Sequence, residues 1–149
     1  MRIISLAIVI AALAVVPVAA GDGIYHSQHI PFSPVATGES GSGFVENIHA
    51  NGPNVFAHEQ YVLKGASALT TYDVVIHVSS AADPTCSTPL LVATTATFTT
   101  NPAGNGSAYH LFTPTDVGPL HNSTIHVYWT LETAGAIAYT TSCQPAQLD

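Results

Sequence analysis

Beyond residue 42 this chain never sustains a helical period. Apolar residues recur instead at every second position in short runs, which restricts it to strands with two alternating faces. In Thr71–Ser79, Tyr72, Val74, Ile76 and Val78 share one phase, with Asp73 and His77 in the other. In Thr124–Glu132, Ile125, Val127, Trp129 and Leu131 share a phase against His126, Tyr128 and Glu132. The first set of each predicts a core face, the second a face in water. Further runs rich in β-branched and aromatic residues fall at Phe44–His49, Val55–Lys64, Leu90–Thr99, Ser107–Phe112 and Ala136–Cys143. Turn signals separate them, among them Asn51-Gly52-Pro53, Asp83-Pro84, Asn101-Pro102, Asn105-Gly106 and Ala134-Gly135. Seven short strands with one buried face each predict an all-β, antiparallel, seven-stranded sandwich. Pro114–Val117 supplies at most one helical turn, with Thr113 as its cap.

The N-terminal region has a different character. Met1-Arg2 precedes an apolar run, Ile3–Val16, broken only by Ser5, and then Pro17-Val18-Ala19-Ala20-Gly21. A charged start, a short apolar stretch and small residues at its end predict a secretory signal over residues 1–20, cleaved after Ala20. The mature form then has no membrane span and is secreted or held at the cell envelope. Residues 21–42 carry Gly, Pro and Ser without periodicity and read as an extended arm, leaving 43–149 as the β-domain.

Seven strands, the turn before Thr70-Thr71-Tyr72-Asp73-Val74 and the hairpin Thr99-Thr100-Asn101-Pro102-Ala103-Gly104-Asn105-Gly106 resemble small secreted immunoglobulin-like or fibronectin-III-like modules. The likeness runs from about Phe44 to the C-terminus and implies an architecture rather than an activity. Trp129 falls on the sixth strand of this pattern rather than the third, and Cys86 falls in a loop. The inter-sheet bridge of antibody domains is therefore absent.

Charge narrows the function. The chain has 2 Lys+Arg against 9 Asp+Glu, and Lys64 is the only cation after residue 20. A nucleic-acid backbone needs several cations to displace its counterions, so that partner class is excluded. Arginine clamps on phosphate or carboxylate substrates are excluded with it. Cys86 and Cys143 are the only cysteines, both in the stretch expected to be exported, and an even pair in an oxidising compartment predicts a disulfide.

Eight histidines are the compositional oddity: His26, His29, His49, His58, His77, His110, His121 and His126. Their spacing matches no preformed site; His58-Glu59 lacks the second histidine of HExxH. If the strands carrying His77 and His126 are neighbours, the two imidazoles face one surface, with Asp73 or Glu132 as a third ligand for zinc or copper. Asn105-Gly106-Ser107 and Asn122-Ser123-Thr124 fit the glycosylation pattern, and Asn105-Gly106 also suits a tight hairpin. No GxSxG elbow or phosphate-cradling loop is present, and no carboxylate pair can be nominated, so no cofactor or catalytic group is assigned. The expected function is a secreted, non-catalytic module with a structural, adhesive or ligand-presenting role toward a protein or glycan. The alternatives are a histidine-based zinc or copper binder and a surface-filament subunit whose arm adds a strand to a neighbour. As the histidines protonate near pH 6.5 the net charge approaches zero, which favours self-association.

Overall fold

The computed structural model describes residues 25–50, 57–120 and 123–148. The expected signal at 1–20, the turn at 51–53, His121 and Asn122 lie outside the described residues. Among the described residues there are nine strands: β1 (Tyr25–Pro34), β2 (Ser42–Ala50), β3 (Ala57–Lys64), β4 (Thr71–Ser80), β5 (Leu91–Thr99), β6 (Gly106–Phe112), β7 (Ser123–Thr133), β8 (Ala136–Thr140) and β9 (Gln144–Leu148). Every ladder is antiparallel. The strand order is β5-β4-β7-β8-β1-β2-β3-β6, with β9 continuing beside β7. Pro114–Val117 forms a helical turn, α1, followed by a 3-10 turn at Gly118–Leu120, and Asp116 accepts bonds from the backbone N–H and hydroxyl of Thr113, 2.7 Å each.

The all-β antiparallel class read from the sequence holds. The count of seven does not, and a strand lies within the stretch read as an extended arm. Tyr25–Pro34 pairs with β2 over eight consecutive positions, from Tyr25 opposite Ala50 to Phe32 opposite Gly43. At its far end Ser33 and Pro34 pair with Thr140 and Tyr139 of β8. This strand bends the sheet round until it nearly closes as a barrel, with β5 and β6 as the two ends. The loop joining those ends is tight. A Cβ on Gly106 would lie 2.5 Å from the Phe98 ring, so only glycine lets β6 start this close to β5.

One core fills the interior, and the two phases read on β4 and β7 meet in it. Tyr72, Val74, Ile76 and Val78 are buried against Ile125, Val127, Trp129 and Leu131, with Ile76 directly opposite Trp129. The interior is plugged at one end. There the Tyr72 and Tyr139 rings meet edge-on at 5.9 Å, and their hydroxyls donate to Glu39 at 3.1 and 2.8 Å. Toward Ile76 and Val78 it is hollow.

Candidate ligand cavity

Strand β3 alternates strictly, with Ala57, Glu59, Tyr61 and Leu63 inward and His58, Gln60 and Lys64 exposed. A glutamate thus occupies a core position. Glu59 is 2% exposed, and its Oε2 accepts from Trp129 Nε1–H at 2.8 Å and from the Tyr61 hydroxyl. Among the described residues no donor reaches Oε1. The Tyr61 oxygen also meets Thr95 Oγ1 at 2.8 Å, so the carboxyl joins β3 to β5 and β7 through the middle of the barrel. Burial opposes ionisation and pushes the Glu59 carboxyl up to about 7, although the Tyr61 and Trp129 bonds pull the other way. The same burial, with the Glu59 charge beside it, raises the Tyr61 phenol.

Register places two more polar groups beside this one. Asn47 of β2 and His110 of β6 stand opposite Glu59 from either side, making one row across three strands. Directly opposed residues in such a ladder have Cβ atoms about 5 Å apart. All three line a cavity of about 330 Å³. Ile76 and Val78 of β4, Phe112 of β6 and Ile125 and Val127 of β7 supply its apolar walls. Leu91 and Asp116, both exposed, lie at its rim. Asn47 is 2% exposed, and its Oδ1 has no hydrogen-bond partner. An orphan buried acceptor costs roughly 1–3 kcal/mol. The cavity volume is at the lower end of the range that holds small ligands, about 300–1,000 Å³.

The groups singled out from the sequence lie elsewhere. β4 and β7 are neighbours, as the pairing of His77 with His126 requires, and the two histidines sit diagonally, His77 opposite Tyr128 and His126 opposite Ser79. His77 is not in water, however. It is 8% exposed, stacked on Tyr128 at 4.2 Å, and its Nε2 meets Thr130 Oγ1 at 3.1 Å. This burial lowers its pKa. Thr130 in turn donates to Glu132 at 3.0 Å, Asp73 accepts from Thr97 at 2.6 Å, and His126 Nδ1 lies 3.3 Å from the Ser80 carbonyl. Asp73 and Glu132 face each other across the ladder. Among the described residues no three His, Cys, Asp or Glu side chains gather as a metal cluster. Asn105 is exposed in the β5–β6 loop, where its Oδ1 accepts from Gly65 N–H at 3.1 Å. Cys86 and Cys143 are joined, with Cα atoms 5.8 Å apart.

The Asn47–Glu59–His110 row was not expected from the sequence. Its one local signal was the phase of Glu59 with Tyr61 and Leu63, which puts a carboxylate on the apolar side of a strand. No family model, curated protein or solved structure matches the chain. Nothing in those comparisons points to catalysis.

The buried carboxyl makes stability depend on pH in a direction that can be measured. With a folded pKa of about 7 against an ordinary 4.5, the native state holds the Glu59 proton more tightly than the unfolded chain does. Its contribution is fully present below about pH 4.5 and is lost as pH rises to about 7, on the order of 3 kcal/mol in all. Glu59→Gln keeps an acceptor for Trp129 and Tyr61 but cannot ionise. Urea midpoints of parent and variant at pH 5 and pH 7.5 give the Glu59 share as a difference, which cancels His77 and the surface groups. The variant should gain on the parent at the higher pH; an equal gap at both would show that Glu59 does not titrate in this window.

Proposed function

We propose that this is an exported, non-catalytic β-domain that holds a small molecule inside its barrel. The observation that carries the reading is a cavity of about 330 Å³ with apolar walls and the polar row of Asn47, Glu59 and His110 along one side. Export is supported by the signal-like pattern of residues 1–20 and by the Cys86–Cys143 bridge, which suits an oxidising compartment. Among the described residues no helix is long and apolar enough to cross a membrane. The finer architecture in this reading is an immunoglobulin-like pair of layers, β1-β2-β3-β6 and β5-β4-β7-β8. What supports it is the brevity of the junction between them, two residue pairs at Ser33–Pro34.

A presenting role toward a protein or glycan is the second reading. Tyr109 and Leu111 on β6 and Leu91 and Val92 on β5 favour it, because these apolar side chains are exposed on the two end strands of the sheet. A filament role through a free arm finds no support in β1, which is already paired within its own chain.

Trp129 is the chain's one tryptophan and lines the cavity, so it reports on occupancy directly. Titration of the purified protein with 1-octanol should change its emission saturably, with one molecule bound per chain. Val127→Phe, which fills the hollow, should abolish the change. An emission that drifts linearly to the solubility limit of the alcohol would rule the cavity out as a binding site.

A further inference from the structure

We infer that the ligand of this cavity is a small amphiphilic amine, bound with its nitrogen at the Asn47–Glu59–His110 row and its apolar body against β4 and β7. The inference rests on the reading of the cavity as a binding site and adds the chemistry of its occupant.

The polar end of the hollow is rich in acceptors. Oε1 of Glu59 takes no donor from the described residues, Asn47 Oδ1 has no partner, and the His110 imidazole brings a ring nitrogen to the same row. An ammonium group has three donors and no acceptor, which matches three acceptors set in one row. A hydroxyl has a single donor and would leave two of them unmet. Glu59 supplies the opposite charge in a site shielded from water, where a hydrogen bond to an ion is about twice as strong as a neutral one.

The walls agree with this choice. Phe112 and Trp129 line the same space as the apolar residues and give the body of the ligand aromatic surface to pack on. Anionic amphiphiles fit poorly. Among the described residues no lysine or arginine lines the cavity, whereas Glu59 and Asp116 do. A carboxylate head would enter beside two carboxyl groups with no lysine or arginine to receive it.

The test compares three ligands of one chain length at pH 7.5: octylamine, 1-octanol and octanoate. Each is titrated by calorimetry, with Trp129 emission as a second readout. Octylamine should bind at least about tenfold more tightly than octanol, equivalent to about 1.4 kcal/mol, and octanoate should bind weakest. Glu59→Gln should bring octylamine down to the level of octanol in the parent. Asn47→Ala, a smaller change at the far side of the row, should weaken octylamine several-fold and guards against a folding defect in the first variant. Near-ultraviolet circular dichroism confirms that both remain folded. If octanol binds and octylamine binds no more tightly, the amine assignment is overturned while the cavity stands. If none of the three binds, both fall.

Discussion

Trp129→Ala should destabilise the protein by roughly 3–5 kcal/mol, the usual cost of deleting a large buried aromatic side chain. The ring is fully buried and in phase with Ile125, Val127 and Leu131, so its loss opens the centre of the core. A second cost adds to the cavity. Trp129 Nε1–H is one of two donors on the Glu59 carboxyl, and truncation leaves a buried group that is partly ionised at neutral pH with only Tyr61. Against a total stability of about 5–15 kcal/mol for an ordinary domain, the variant should be partly unfolded at 37 °C. Trp129→Phe separates the two effects. It keeps most of the volume and loses the donor, so it should cost about 1–3 kcal/mol and push the Glu59 carboxyl higher still. Urea denaturation followed by far-ultraviolet circular dichroism measures both, since neither variant retains a tryptophan. A midpoint for Trp129→Ala equal to that of the parent would mean that β7 faces the other way.

The alternation behind that prediction was legible because β4 and β7 are central strands whose inward residues are almost all large and apolar. Other parts of the fold left no such trace. In β1 the inward Ile30 and Phe32 are separated by Pro31 and preceded by His26-Ser27-Gln28-His29, so the stretch looks like a loop. It becomes a strand through eight ladder pairs with β2, a tertiary effect that overrides local propensity. β9 is similar: Pro145 would argue against a strand, yet it lies opposite His126 in the ladder with β7. His77 shows the converse error. Its phase places it on the outer face, but Tyr128 and Thr130 on the neighbouring strand cover it, and cross-strand neighbours are not written in a single run. The cavity follows the same rule. Glu59 is out of character on the inward side of β3, and that much is local. Its alignment with Asn47 and His110 depends on the registers of β2 and β6, which no local period encodes.

Replacing both cysteines, Cys86→Ser together with Cys143→Ser, should lower stability by about 4 kcal/mol. The bridge closes a loop with a sequence separation of 57, and the chain-entropy argument assigns that figure to a loop of this length. The loss should fall mainly on the unfolded state, because other bonds hold the loop at Cys86. Asp83 accepts from Thr88 N–H at 2.8 Å and from the hydroxyls of Thr85 and Ser87 at 3.0 and 3.1 Å, which fastens the turn independently of sulfur. These bonds also hold the Asp83 carboxyl well below its ordinary range, so the turn stays fastened across neutral and mildly acid pH. The double variant should therefore keep the circular dichroism of the parent and differ in its urea midpoint. With a urea slope of about 1–3 kcal/mol per molar, the midpoint should fall by roughly 1–4 M. Peptide mapping of the parent without reductant should recover the two cysteines joined. Unbridged thiols in native material, or a double variant with the parent's midpoint, would show that the bridge contributes nothing to the fold. Either result would also remove the support it lends to an oxidising compartment.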